Sequence, residues 1–390
     1  MRGPDILMLS AAHPAEDVRV VQKEGAALAA AGFRVAHLAP DPGPARQAAG
    51  VAILPFPPAR GWRGRLRGVA ALARRAAALR PAAIHAHEPD SWLAGWLAAR
   101  RCGARLVIDV HEHYPSRLDP LLPWGLRPAA RAALRLLCRA AAAGADAVVV
   151  AKAGLDADFG GAARCTKVRN YAEALPVAPR RHAPGPLRLV HLGALGRARG
   201  AFAMLEALAL LPPETRLVLV GRFTDGSEAA FREGAAALGL GDRIEAHDWM
   251  PRAHALAVAA GCDVALVLFQ PGVENHRLAL PHKLFDAMLA GLPVVVPDIA
   301  EEVAAVVREA GCGLVVDAAD PSGVAAAVAT LADPARRAAM GARGREAALG
   351  RFGWAAEAAR LVALHRQLAA GGGTLRSRDA AFPPGLGDPI

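Results

Sequence analysis

A lysine and an aspartate stand three residues apart in Leu280-Pro281-His282-Lys283-Leu284-Phe285-Asp286-Ala287-Met288-Leu289-Ala290-Gly291, which leads through Leu292-Pro293 into Val294-Val295-Val296. Pro281 predicts a helix start and Gly291 its end, so the segment reads as a short helix followed by a buried strand. The first turn of such a helix attracts an anion through its unpaired N–H groups and its macrodipole. Lys283 then supplies the counter-charge for a phosphate. Asp286 lies on the same helical face and can accept hydrogen bonds from two neighbouring hydroxyls, such as those of a ribose. Together they read as a nucleotide site; the plainer alternative is a solvated i, i+3 ion pair above core residues.

A second phosphate-type signal is Gly193-Ala194-Leu195-Gly196-Arg197-Ala198-Arg199-Gly200, which follows an apolar run and opens a helical one. Small residues let a diphosphate approach the backbone, and Arg197 and Arg199 can neutralise it. Gly221–Thr224 and His247–Pro251, with Met250, also follow strands and can frame a flat base. Earlier in the chain three strand ends carry His, carboxylate and Arg: His13, Asp17 and Arg19; His85, His87, Glu88 and Asp90; His111, Glu112 and His113. Such convergence points to a site rim. Zinc on His85, His87, His111 and His113 is an alternative reading. Side chains alternate past a strand and only some of the four can face inward, so no metal is expected. Asp156-Ala157-Asp158 reads as a helix cap.

The elements that must position these residues follow a strand–helix rhythm. Apolar runs at Ile6–Ser10, Val35–Ala39, Ala83–Ala86, Leu106–Val110 and Ala147–Val150 read as parallel strands. The rhythm restarts at Leu187–Leu192 and continues through Arg216–Val220, Ile244–Ala246, Val264–Leu268, Val294–Val296 and Gly313–Val316. The fold class is therefore α/β with two Rossmann-like domains, expected to face each other across a cleft. The boundaries are residues 1–171, a linker at 172–186, 187–350, a helix at 351–370 packing back across both domains, and a disordered tail at 371–390. A length of 390 residues fits two cores.

Net charge is +10. Arg60, Arg63, Arg65, Arg67, Arg74, Arg75 and Arg80 come without an intervening acid, among Trp62, Leu66, Val69, Leu72 and Leu79. The segment Arg60–Arg80 suits a helix on an anionic bilayer or an ordinary surface helix of an Arg-rich protein. Trp124–Arg139 repeats the chemistry with Arg127, Arg131, Arg135 and Arg139. Nucleic acid is not expected, since aromatic platforms and recognised motifs are missing. No apolar run reaches membrane-span length and the N-terminal one is too short for a signal peptide, so a cytoplasmic protein is expected, one that can sit peripherally on the inner membrane face. The five cysteines show no metal spacing and read as inert thiols of a reducing compartment.

These motifs resemble the GT-B glycosyltransferases of the group 1, or family four, kind over nearly the whole ordered chain. His13-Pro14-Ala15-Glu16-Asp17-Val18-Arg19, Ile108–Pro115 and Val168-Arg169-Asn170-Tyr171 are similar to its signatures, and Pro281–Val296 is similar to its PxKLFEYMAAGxPVV block. The resemblance implies a retaining transfer of sugar from a nucleotide-diphosphate sugar to an acceptor hydroxyl, with no cofactor. His111 takes the place of the histidine that reaches the transferred sugar, Arg199 that of the diphosphate lysine and Asp286 that of the ribose glutamate. The donor set is Gly193, Arg197, Arg199, Met250, Glu274, Lys283, Leu284 and Asp286. The acceptor rim is His13, Asp17, Arg19, Glu88, Asp90, Glu112 and His113.

Three positions depart from the family pattern. Leu278 stands where a donor-sugar glutamate is usual, Ala194 where an arginine is usual, and Asp286 is a shortened Glu. Glu274, Asn275 or His276 can supply the missing sugar contact. The expected acceptor is a lipid-linked or cell-envelope saccharide, with a soluble secondary metabolite as an alternative. A catalytically silent sugar-nucleotide-binding partner and a nucleotide-sugar epimerase are the rival functions.

Overall fold

In the computed structural model, which describes residues 3–57 and 61–371, the apolar runs pair as parallel strands in two separate sheets. The chain divides into two units, Asn170–Trp354 and the remainder, Met1–Arg169 with the stretch from Ala355. The first sheet contains β1 (Ile6–Leu9), β2 (Val35–Pro40), β3 (Arg46–Ala48), β4 (Val51–Phe56), β5 (Ala83–Ala86), β6 (Arg105–Val110), β7 (Ala147–Val150) and β8 (Cys165–Lys167). Its order is β3-β4-β2-β1-β5-β6-β7-β8, with β3 and β4 antiparallel. The second contains β9 (Arg188–Leu192), β10 (Arg216–Val220), β11 (Ile244–His247), β12 (Val264–Leu266), β13 (Val294–Pro297) and β14 (Gly313–Val316), in the order β11-β10-β9-β12-β13-β14.

That order places a topological switch point between β1 and β5 in the first unit and between β9 and β12 in the second. Loops after these strands diverge there and leave room for a ligand outside the carboxyl ends of the sheet. The candidate phosphate loop follows β9. The His13 and Glu88 loops follow β1 and β5.

Three strands were not legible as strands. β3 is polar, and its hairpin to β4 turns through Ala49 and Gly50, both at positive φ (50° and 80°). This is the primed-turn geometry that matches strand twist. The short β8 pairs only with β7 at the sheet edge.

Helix Trp354–Ala370 returns to the first unit on one face: Glu357, Leu361 and His365 are buried, one turn apart. The Glu357 carboxylate accepts the Arg169 N–H at 2.8 Å, and the His365 Nε2 lies 3.2 Å from His85 Nδ1. Residues 172–186 are held to the second unit by strand-like pairing of Ala172 with Gly353 and by Arg180 on Asp263. Apart from Gly371, the expected tail lies outside the described residues.

His37 sits in the core of the first unit, its Nδ1 2.9 Å from the Ala15 carbonyl and its Nε2 2.9 Å from the Ser10 hydroxyl. The neutral ring satisfies both contacts. Burial lowers its pKa to about 4, against bonding to Ala15 that raises it. A depressed histidine contributes stability above its unfolded pKa near 6.5 and loses it as pH falls to about 4. We expect roughly 3 kcal/mol less unfolding free energy at pH 4 than at pH 7 from this residue alone. Urea denaturation at both pH values reads it, and an unchanged pH dependence in His37→Gln would contradict it.

Candidate functional site

In the second unit, Gly193 follows β9 with φ 87° and donates its N–H to the Val220 carbonyl at 2.7 Å. Two glycines make this loop possible. A Cβ on Gly221 would stand 2.0 Å from the Gly193 carbonyl oxygen, and one on Gly200 would stand 2.1 Å from that of Leu268, at φ 86°. Only glycine permits either approach.

Lys283 begins the helix His282–Leu289 and points at this loop: the Cβ position of Gly193 is 3.7 Å from the lysine Cε. His191 on β9 directs its Nδ1–H to the Leu266 carbonyl at 3.0 Å, which leaves Nε2 to accept from Lys283 Nζ at 2.8 Å. Burial first, and then the like charge of Arg199, push the Lys283 pKa well below the usual lysine range. Burial and the lysine keep His191 neutral. The arrangement is a buried basic pocket on small residues, in which an anion would favour the charged lysine.

Asp286, one turn on, accepts from Arg252 Nε at 2.9 Å and Nη2 at 2.7 Å, both on Oδ1. Arg252 also reaches Glu173 at 3.3 Å. Asp286 is thus a carboxylate oriented by Arg252. Met250 is half-buried, packed on the core just before the helix Arg252–Ala260. A cavity of about 760 Å³, lined in part by Gly221, Arg222, Phe223, His247 and Asp248, opens at the ends of β10 and β11.

Several donor assignments change. Leu284 is fully buried and its N–H is bonded to the Pro281 carbonyl, so its side chain belongs to the core. Arg197 is exposed, and its guanidinium lies 3.9 Å over the Phe202 ring. Glu274 opens a four-residue helix and is bound to Arg277 at 2.6 Å, which ties it to its own turn. His276 stacks on Phe269 at 4.6 Å. Leu278 is buried.

In the first unit the anchor is Asp109, fully buried at the end of β6. Its Oδ2 lies 2.9 Å from His111 Nε2 and 3.5 Å from His87 Nδ1, and its Oδ1 lies 3.3 Å from Arg19. Burial opposes the Asp109 charge, but Arg19 and His111 outweigh it and hold the carboxyl well below its usual range. His111 is lowered by burial against the pull of Asp109, which favours a neutral ring. With Nε2–H on Asp109, its Nδ1 is an acceptor (a tautomer assigned from the bonding pattern). The His13 ring packs 5.2 Å from that of His111. Burial disfavours its charge, but the Asp17 bond and the charges of Glu88, Asp17 and Asp109 raise its pKa overall.

The rim loses two expected members, Arg19 and His113, to the interior. Arg19 is turned inward between Asp109 and Glu24, 2.8 Å from the latter, and bonds the Val168 carbonyl at 3.1 Å. His113 is buried, with Nδ1 2.9 Å from Ser116 Oγ and Nε2 3.2 Å from Asp158. Asp158 therefore fastens His113 and Arg135, correcting its reading as a cap. Glu88 accepts the N–H groups of Ala11, Ala12 and His13 at 3.1, 3.0 and 2.8 Å, shaping the loop after β1 from the one after β5. Asp17 caps the turn beginning at Val18 through the N–H groups of Arg19 and Val20. Asp90 is half-buried, and Glu112 pairs with Arg117.

Two family models match the chain: "Glycosyl transferase 4-like domain" over residues 18–160 and "Glycosyl transferases group 1" over residues 178–347. The chain thus carries a glycosyl transferase domain of the 4-like kind followed by one of the group 1 kind. This transferase is 28% identical over 314 residues, 73% of its own chain and 71% of the relative, to a D-inositol 3-phosphate glycosyltransferase of Xylanimonas cellulosilytica. Its fold is that of the sucrose-phosphate synthase of Thermosynechococcus elongatus, with a TM-score of 0.77 at 21% identity over 94% of this chain and all of that one. Anabaena HepE, solved with UDP, superposes with a TM-score of 0.65 at 18% identity over 94% of this chain and all of that one.

Sequence reasoning missed four residues of the transferase that organise these sites: His191, Arg252, Asp109 and Glu24. Asp109 carried a signal, a lone acid inside an apolar strand beside His111. His191 carried the same kind of signal in β9. Arg252 carried none. Glu24, His85, His87 and Asp109 also bring metal-ligand atoms within 4.8 Å of one another. The Arg19 guanidinium already supplies positive charge to both acids of that group.

Proposed function

We propose that this chain transfers a sugar, with retention, from a nucleoside-diphosphate sugar to the hydroxyl of a saccharide acceptor. The observation that carries the reading is Lys283, a buried amine whose charged form is disfavoured by burial and by Arg199, aimed at the glycine loop after β9. An entering diphosphate is the missing counter-charge. Departure of the nucleoside diphosphate places growing negative charge there, and preorganised cations act most strongly on charge that develops in the transition state. Asp286, oriented by Arg252, takes the ribose hydroxyls. His111, neutral and oriented by Asp109, offers Nδ1 to the transferred sugar.

Charge neutralisation by Lys283 and Arg199 makes the reaction metal-independent in this reading, so transfer persists in EDTA. The acceptor sits against His13, Asp90, Glu112 and His111 in the first unit. A lipid-linked acceptor at an anionic membrane surface suits the basic segments. Helix Gly61–Ala78 exposes Arg67, Arg74 and Arg75 but buries Leu72, Ala73 and Ala76 in its own unit, so its contribution is electrostatic; Arg60 lies outside the described residues. Among the described residues no helix is long and apolar enough to cross a membrane.

The test is a thermal-shift screen with UDP, GDP, ADP, dTDP and CDP, followed by NMR of the anomeric configuration of the product made from the matching sugar nucleotide. A rise for one diphosphate, lost in Asp286→Ala, and a product of retained configuration are expected. No shift with any of the five, or an inverted product, would overturn the reading.

A further inference from the structure

The acceptor region of the first unit continues into a cavity of about 1040 Å³ that is far larger and more apolar than a sugar needs. One end is polar, with His13, Glu88, Asp90 and His111 in its lining. The rest runs between helix Pro89–Cys102 and helix Arg127–Gly144, lined by Trp92, Trp96, Leu134, Leu137, Cys138 and Ala141. Sugar hydroxyls require polar partners when they leave water, and this wall supplies few. The Trp92 indole N–H is already directed to the Asp109 carbonyl at 3.3 Å. Burial pushes the Cys138 thiol up to about 12, so it is an inert, neutral wall group.

The mouth of the cavity carries an apolar surface. Leu93, Leu118 and Leu137, which line the cavity, are also exposed, and Leu121, Trp124 and Leu136, their near neighbours in the chain, are exposed too, Trp124 by 84%. Helix Arg127–Gly144 buries only Cys138 and Ala142 along its length. The same helix and the turn before it carry Arg127 and Arg139 on exposed positions, the pairing of apolar and cationic groups that suits an anionic lipid surface.

We propose that this cavity is the binding site for an apolar chain, alkyl or prenyl, attached to the acceptor. The chain enters across the Leu118–Leu137 mouth while the acceptor head lies at His13 and His111. The inference rests on the transferase reading above and names the chemistry of its acceptor: a polar head on a long hydrocarbon, presented from a bilayer. Small side chains at Ala140, Ala141 and Ala143 keep the space open opposite the tryptophans.

The experiment measures fluorescence of cis-parinaric acid bound to the full-length protein and its displacement by alkyl β-D-glucosides from methyl to decyl, below their micelle concentrations. We expect parinarate to bind, and displacement to strengthen with chain length by up to about fourfold per methylene buried. Ala141→Phe, which fills the cavity, and Leu137→Gln, at an exposed position that folding does not need, should each weaken parinarate at least tenfold. The thermal shift with UDP, or whichever diphosphate the screen selects, should be unchanged in both, since that site is built by the second unit.

Absence of parinarate binding, equal displacement by methyl and decyl glucosides, or binding unchanged in both variants would overturn the proposal. Failure of the parent protein to bind parinarate, alongside an intact nucleotide shift, defeats the cavity inference alone. Parinarate binding without a nucleotide shift in the parent protein defeats the donor-site reading instead.

Discussion

Replacing Lys283 by alanine is expected to lower sugar transfer by about 10²–10³-fold, the scale on which single preorganised electrostatic groups act on a developing anion. The same substitution should remove a proton linkage. In the free protein, burial and Arg199 hold the lysine well below its usual pKa, and a bound diphosphate restores the charged form. Between the free and bound pKa values, binding takes up a proton, so affinity falls as pH rises through that window. Calorimetry of nucleotide binding in Tris and in phosphate should give different apparent enthalpies for the parent protein and equal ones for Lys283→Ala. Equal enthalpies in the parent would place the ammonium elsewhere than at the phosphate.

Arg19→Met should be the most destabilising single change in the first unit, costing about 3–5 kcal/mol of unfolding free energy. The guanidinium is nearly inaccessible and pairs with Glu24 and Asp109, both fully buried. Removing it leaves two acids desolvated with their main counter-charge gone. Burial already pushes Glu24 well above its usual range despite Arg19, so the variant should bind an additional proton and lose most at high pH. Urea unfolding at pH 6 and pH 8 reads both effects. By contrast Arg222→Met removes an exposed pair with Asp248 and should leave the midpoint unchanged. Equal behaviour of the two variants would show that the Arg19 network is not the anchor of the His111 loop.

The two sheets and the helix carrying Lys283 were legible because burial on both faces writes continuous apolar runs into parallel strands. Proline and glycine punctuate helices in a way that depends on local backbone chemistry alone. The primed hairpin at Ala49-Gly50 was not legible, because its conformation is imposed by strand pairing and alanine does not advertise positive φ. Residue types at the strand ends were right as a collection but ambiguous as individuals. Arg19, Glu88 and His113 have the same side-chain chemistry whether they face a ligand or the interior, and the pattern of a single loop does not say which.

The basic segments divide in the same manner. In Gly61–Ala78 the apolar positions are covered by the unit's own core, while in Arg127–Gly144 they stay exposed beside a cavity. Both read alike from spacing. Local sequence by itself determined the α/β rhythm, the glycine loop after β9, the lysine helix and membership of a family of sugar transferases, since each depends on neighbours along the chain. Tertiary structure alone decided that Asp286 is held by Arg252, that Lys283 rests on His191 and that Arg19 is an internal counter-charge. It alone opened an apolar cavity beside His111, because burial and partners are set by residues tens to hundreds of positions apart.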